Sequence, residues 1–429
     1  MITIVCKLHD SDTFSVEKAI TVNPNDTSFY HYSLWRKKIT HLYQIPKCFE
    51  KGALDLFYIS LIVFYADRAI RRSEQPDAWT RSFEIYMPVF EHSKWCTLKD
   101  SLQKSLNFLT GDQWFFHFRS RAYITEQEDD YKKGKWRLRN STRLIDTDEF
   151  CMLSGGLDSF IGAINLLSDG KKVIFVGNYN GGKGVSVYQR KVIEELAAHF
   201  GISKERFFQF YAAPLNAVEE STRSRSLLFF SHAILLASGM GKPMRICIPE
   251  NGVISLNIPL TIHRTGSLST RTTHPYYISL LQDIINGLGL SIELYNPFQF
   301  KTKGEMMLEC EDFEFLKRTY PLTMSCSHPD LGRWRKESGS SHCGVCLPCT
   351  IRRAAILKAG LQDESIYRDP NYHDKEAQVN LRSYKLGLLM HKNPMLAIQE
   401  SGPIGDNRDL YAQLYQRGLK ELEDYIKTK

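Results

Sequence analysis

Apolar and polar positions change rhythm near residue 148, and the change divides the chain. Before it, Leu54 to Ile70 has the length and apolar content of a helix. Phe83 to Val89 and Trp114 to Phe118 have the composition of strands, and Leu102 to Leu109 between them has helical spacing. The run Leu56 to Tyr65, bounded by Asp55 and Asp67, is too short to span a bilayer and reads as a core helix. Trp114-Phe115-Phe116-His117-Phe118 could mimic a base-stacking platform, but a strand inside a mixed domain buries one face, so core is the favoured reading. These elements predict a mixed α+β domain over residues 1–147. It carries no catalytic motif and is expected to recognise a partner or substrate.

From Phe150 onward strands and helices alternate. Lys172 to Gly177, Phe207 to Ala212, Arg245 to Pro249 and Ile292 to Asn296 read as strands, separated by helical patterns at Ser186 to Phe200, Ser224 to Ala237 and Tyr276 to Leu288. This predicts an α/β fold with a doubly wound parallel sheet over residues 148–360. Ligands of such sheets bind beyond the carboxyl ends of the strands, which puts residues 154–159, residues 177–180, Glu250-Asn251-Gly252 and the segment around Lys303 on one rim. Residues 361–429 predict a helical extension with an apolar face of Leu410, Leu414, Leu422 and Tyr425.

Composition narrows the class. A chain of 429 residues with 43% apolar content can bury a large core in two or three folding units. The formal charge of +7 is modest and spread out, so nucleic-acid binding is not supported. The basic run Lys132 to Arg143 follows acidic Glu126 to Asp130 and reads as a charged linker. No secretory signal or membrane span is expected, and Cys6, Cys48, Cys96, Cys151, Cys247 and Cys310 read as scattered buried thiols of a reducing, cytoplasmic compartment.

Two motifs carry chemistry. Ser154-Gly155-Gly156-Leu157-Asp158-Ser159 stands between an apolar run and an amphipathic stretch, a strand, a glycine turn and a helix start. Paired glycines allow positive φ and bring N–H groups to an anion at the positive end of the helix, so the turn suits phosphate. Farther on, Cys326 is followed by Cys343-Gly-Val-Cys346-Leu-Pro-Cys349, the spacing of a closed four-thiolate zinc site, with His328 and His342 able to replace one ligand. Gly177 to Gly184 nearly fits a Walker loop. It has Gly184 where magnesium needs a hydroxyl, and reads instead as a rim loop offering Lys183 to phosphate.

The first motif resembles the PP-loop of ATP pyrophosphatases. Together with Thr323-Met-Ser-Cys326 and His342 to Arg352, it is similar to the QueC family, zinc-bearing PP-loop enzymes that make 7-cyano-7-deazaguanine from 7-carboxy-7-deazaguanine. Thr222 to Ala233 and Asn296 to Glu305 resemble further family segments. The resemblance covers residues 148–360 and implies an adenine nucleotide alpha hydrolase-like sheet. The chain departs from the housekeeping pattern in Arg271 to Tyr277, in the 16 residues between Cys326 and Cys343, and in the long leading region. In these respects it resembles the QueC-like QatC family of Qat anti-phage defence systems.

That resemblance implies an AMP-forming ligase that activates a carboxylate of 7-deazaguanine type with ATP, and a protein partner from the same defence operon whose amine receives the acyl group. Ser154, Gly155, Gly156, Leu157, Asp158, Ser159 and Arg225 would hold ATP. Asp158, with Mg2+, Ser154 and Lys303 would serve the chemistry, and Glu250, Asn251 and His274 would face the substrate. For Arg225 and Lys303 a surface salt bridge competes with a phosphate clamp, and for His274 helix capping competes with substrate contact. Cys326, Cys343, Cys346 and Cys349 would hold structural Zn2+. Three other activities stay open: a housekeeping nitrile synthase, a PP-loop tRNA modification enzyme, and a non-catalytic scaffold.

Overall fold

The computed structural model describes residues 1–30, 49–121, 145–178, 183–260, 271–330, 339–390 and 393–429. They divide into two compact units, Met1–Phe150 with Gln209–Ile246 and Tyr277–Leu294, and Cys151–Phe208 with Cys247–Tyr276 and Tyr295–Lys429.

In the first unit, β1 (Ile2–Cys6), β2 (Ile20–Val22), β3 (Ser82–Val89) and β4 (Gln113–Ser120) form a sheet of order β2-β1-β3-β4. Every pair is parallel, with Ile4 opposite Ile20 and Ile85, and Ile85 opposite Phe116. The leading residues therefore build a parallel sheet, a strand direction that the predicted mixed α+β domain left open. A parallel return needs a long crossover, and α2 (His92–Thr110) supplies it between β3 and β4. This helix is longer than Leu102 to Leu109 suggested, because its first turns are polar except for the inward Trp95 and Leu98. Trp114 and Phe116 are buried, as a core strand requires, while Phe115 is exposed.

The helix α1 (Lys51–Ala69) is buried along most of its length and packs on α5 (Arg225–Ser238). Ser60 Oγ meets Ser231 Oγ at 2.7 Å, and Asp67 Oδ2 accepts from the N–H (3.0 Å) and hydroxyl (2.8 Å) of Ser224. Asp67 and Asp112, both buried, also pair with Arg81 (2.5 and 2.7 Å), and Arg72 adds a contact to Asp112 at 2.8 Å. Four charges leave water together, and each finds hydrogen-bonding partners.

The second sheet has the order β7-β6-β5-β8-β9, from β5 (Glu149–Met152), β6 (Val173–Asn178), β7 (Phe207–Phe210), β8 (Met244–Cys247) and β9 (Ile292–Tyr295). Met244 N donates to Ser291 O and Ile248 N to Tyr295 O, so partners advance together and the pair is parallel. The elements between the strands are α3 (Leu157–Ser168), α4 (Lys183–Phe200), α5, α6 (Gly252–Leu256) and α7 (Pro275–Gly287). The predicted strands and helices of this region all appear, with only their ends moved. Strand order reverses between β5 and β8, the switch point where such sheets leave a crevice.

In the second unit, Leu157, Phe160, Ile161 and Ile164 of α3 share a core with Met306 and Met307 of α8 (Lys303–Leu308), Phe315 of α9 (Phe313–Thr319) and Ile356 of α10 (Leu347–Lys358). Each such side chain contributes about 1.5–3 kcal/mol. The closing helices α11 (Lys375–Met390), α12 (Pro394–Ser401) and α13 (Arg408–Ile426) pack with Leu347 and Ala354 in a second cluster. Leu414, Leu422 and Tyr425 are buried as predicted, but Leu410 is exposed. The inward stripe runs through Tyr411, Leu414 and Tyr415, and Leu410 lies about 100° around the helix from Tyr411.

Cys6, Cys151, Cys247 and Cys310 are buried free thiols, and burial pushes Cys310 up to about 12. Cys96 does not fit that expectation, since it lies exposed on the outer face of α2, 3.6 Å from His92 Nε2. Cys48, the charged run 126–143 and the loop residues 179–182 lie outside the described residues, as does the side chain of Lys183. Among the described residues no helix is long and apolar enough to cross a membrane.

Candidate nucleotide site and cysteine cluster

β5 ends at Met152 and α3 starts at Leu157, so four residues must turn the chain. Gly155 does this at φ +83°, a conformation that penalises any residue with a Cβ. A Cβ there would also lie 2.8 Å from Gln189 Cγ and 3.1 Å from Gln189 Cα. Gln189, 1% exposed, donates through Nε2 to Ser154 O (3.1 Å), Asn178 O (3.3 Å) and Leu153 O (3.5 Å). Sequence reading missed this residue. A glutamine in an amphipathic helix looks like surface until the turn is placed against it.

Within the turn, Ser159 Oγ donates to Gly156 O (3.0 Å) and accepts from Ser154 N (3.2 Å), while Ser154 Oγ stands 3.1 Å from Ser159 Oγ and 3.3 Å from Gly156 N. Ser154 is exposed and Gly156 partly so, whereas Gly155, Leu157, Asp158 and Ser159 are buried. The N-cap of α3 is Gly156, which has no side chain to cover the helix end. The amides of the first turn lack intrahelical partners and concentrate positive potential beside an exposed hydroxyl, the arrangement that receives an oxyanion. Gly155→Ala is expected to lose about 1–2 kcal/mol from the left-handed backbone alone, and more from displacing Gln189. Gly156→Ala, at φ −82° with nearest atoms at 3.3 and 3.4 Å, should cost less. Equal denaturant midpoints for the two variants would refute this reading of the turn.

Asp158, Lys303, Glu250 and Asn251 come together behind the loop. Asp158 is 5% and Lys303 6% exposed, and the Lys303 ammonium touches Asp158 Oδ1. Asp158 Oδ2 accepts from Asn251 Nδ2 (2.7 Å) and Asn251 N (3.1 Å). Local structure aims both partners. Asn251 caps α6 by accepting from Ile254 N through Oδ1, which turns its Nδ2 toward Asp158, and Thr302 with Glu305 forms a capping box that sets Lys303 at the start of α8.

Burial raises the Asp158 pKa, but the Lys303 charge and hydrogen bonds from Glu250, Lys303 and Asn251 overcome it and hold the carboxyl at about 2. For Glu250, burial and then the Asp158 carboxylate push the pKa well above the ordinary carboxylate value, which favours the protonated form. The cluster thus pairs Asp158 with Lys303, and Asn251 Nδ2 also lies 3.3 Å from Glu250 Oε1. Both Asp158 oxygens already accept from protein donors, and a magnesium ion bound there would displace Lys303. These contacts fit an internal ion pair and not the expected magnesium ligation.

Two more expected site residues have surroundings of their own. Arg225 is the exposed first residue of α5, in the first unit. His274 is fully buried ahead of α7, where Nδ1 accepts from Tyr276 N (3.2 Å) and Nε2 lies 3.2 Å from Ser401 Oγ. Burial, then Arg271, lower its pKa to about 3, so the ring is neutral and serves a helix start.

The four cysteines of the second motif converge. Sγ atoms of Cys326, Cys343, Cys346 and Cys349 all lie within 4.8 Å of one another, with Cys326 to Cys346 at 4.0 Å and Cys343 to Cys349 at 3.9 Å. A tetrahedron with metal–sulfur bonds of about 2.3 Å has edges of about 3.8 Å, so the cluster can hold a metal ion and zinc fits it. The N–H groups of His328 and Cys343 point at Cys326 Sγ, and that of Cys346 at Cys343 Sγ, each at 3.3 Å, as thiolate acceptors require. His342 does not replace a cysteine; its Nδ1 is 3.8 Å from Cys349 Sγ and its Nε2 is 3.1 Å from Thr323 O.

No protein-family model matches the chain. Proteins named 7-cyano-7-deazaguanine synthase from two strains of Leptospira interrogans are each 25% identical over 236 residues, 50% of this chain and 88% of the relative. A protein of the same name from Rhizobium rhizogenes is 32% identical over 82 residues, 19% of this chain and 30% of the relative. The chain is thus similar, over about half of its length, to proteins that carry this name.

Proposed function

We propose that this chain is a QueC-like enzyme that activates a carboxylate, 7-carboxy-7-deazaguanine or a close analogue, with ATP. The observation that carries the reading is the uncapped start of α3 behind the Gly155 turn, joined to relatives named for a 7-deazaguanine product. A carboxylate resists attack by an amine because its leaving group is poor. In the proposed first step a substrate carboxylate oxygen bonds to the α-phosphorus of ATP while the bond to pyrophosphate breaks. The amides of Gly155, Gly156 and Leu157 and the hydroxyls of Ser154 and Ser159 would receive the leaving pyrophosphate as its charge grows. Lys303, with Asp158 orienting it, would supply a fixed positive charge. Glu250 and Asn251 would border the substrate. An amine nitrogen then bonds to the acyl carbon, AMP leaves, and the amine proton passes to solvent.

We further propose that the acceptor is an amine of a partner protein in an anti-phage defence system, and that the four-cysteine site holds structural zinc. The additional parallel sheet built by the leading residues supports a protein acceptor over ammonia, which needs no docking surface. Incubation with ATP and 7-carboxy-7-deazaguanine should yield AMP and pyrophosphate; ADP and phosphate would refute the adenylation step. Intact mass of the co-expressed partner should show an added deazaguanine acyl group. Efficient nitrile formation from ammonia with an unmodified partner would favour the housekeeping activity.

A further inference from the structure

Only Met324 and Ser325 separate Thr323 from Cys326 of the cysteine cluster, and this short segment also braces the phosphate turn. Met324 N donates to Gly155 O at 2.9 Å, and a Cβ on Gly156 would stand 3.4 Å from Met324 O. The other side of the segment is gripped from the cysteine helix. Arg352, fully buried on α10, donates through Nη1 to Thr323 Oγ1 (2.6 Å) and, at the limit, to Ser325 Oγ (3.5 Å), and through Nη2 to Tyr320 O (2.8 Å) and Ser365 Oγ (3.2 Å). His342, beside Cys343, adds its Nε2 to Thr323 O at 3.1 Å. Among the described residues Arg352 has no carboxylate partner, and its Nε is unpaired. A buried cation without a counter-charge is costly, and its two terminal nitrogens bond to Tyr320 ahead of this segment, to Thr323 and Ser325 within it, and to Ser365.

We infer that Arg352 is a positioning residue that ties the cysteine cluster to the phosphate turn through Thr323–Cys326, so that the turn is held in its anion-receiving shape from the metal side. Through Cys326 a bound metal would fix one end of the segment. Arg352 fixes the other end at Thr323, and Met324 transmits the position to Gly155. The link itself needs no assumption about the reaction; only its effect on ATP rests on the function proposed above.

The test is amide hydrogen exchange at residues 153–160 in the zinc-loaded full chain, with β6 amides as internal reference. The variants are Arg352→Lys, which keeps the charge but not the fork, and Thr323→Val, which deletes one hydroxyl and leaves the guanidinium and all four sulfurs. Zinc content, and KM for ATP against kcat, are measured alongside. Exchange at 153–160 should rise roughly tenfold or more over the reference, with KM for ATP rising more than kcat falls. Should Arg352→Lys fail to fold, Thr323→Val decides alone. Exchange at 153–160 that is unchanged, or that rises only in step with β6, overturns the link. If the native protein neither binds ATP nor forms AMP, the proposed function falls, while the exchange result still decides the link.

Discussion

Asp158→Ala is expected to lower the stability of the protein by about 3–5 kcal/mol, the usual consequence of removing one partner of a buried ion pair. Lys303, 6% exposed, would lose the carboxylate it touches, and Asn251 would lose the acceptor of two hydrogen bonds. A residue acting only as a surface metal ligand would cost little stability when removed. Because the folded-state pKa of Asp158 lies near 2, below its ordinary value of 3.8, its stabilising contribution is present above pH 3.8 and is lost as pH falls through about 2. The double variant Asp158→Ala with Lys303→Met should be less destabilised than the sum of the single variants, since removing both charges leaves neither one buried alone. Urea denaturation of the four proteins measures this. Additive losses, or an Asp158→Ala protein as stable as the native one, would rule out the ion pair as the main role of Asp158.

Cys346→Ala is expected to have the other large effect. Structural zinc sites contribute about 10–16 kcal/mol of apparent binding free energy in small metal-dependent peptides. Even a fraction of that would be a large share of the stability of an ordinary domain. Metal analysis should find about one zinc per chain in the native protein and little in the variant, with a lower melting temperature and yield. The loss should centre on α10, which opens with Leu347 directly after Cys346 and carries Arg352 into the core. A native protein without metal, or a variant of unchanged melting temperature, would set the zinc assignment aside.

The two units also bear on how the leading region can be studied. Residues 209–246 and 277–294 pack in the same unit as residues 1–150, and α1 hydrogen-bonds to α5 through Ser60 and to Ser224 ahead of it through Asp67. Deleting residues 1–140 would strip α5 of its partner and expose core. A docking role for this unit is better tested with substitutions at exposed positions such as Phe115 or His117.

What the sequence determined by itself was local. Apolar runs of strand length, alternating with helical patterns, were enough for the second sheet, because the periodicity of a buried element is written in its own residues. The Ser154 to Ser159 turn and the cysteine spacing were legible for the same reason, since residues close in sequence make up most of each one. The tertiary structure alone decided which distant side chains these motifs meet. It made Asp158 one half of a buried pair with Lys303, 145 positions away, and raised the Glu250 pKa through burial and the neighbouring charge. It turned Gln189 inward onto the loop carbonyls and His274 into a helix cap, and it placed Arg352 behind Thr323. Burial and pairing depend on which surfaces the fold presses together, and no local pattern encodes that choice. The same reason explains the first sheet. Parallel and antiparallel pairings use similar strands, and the choice between them lies in the connections.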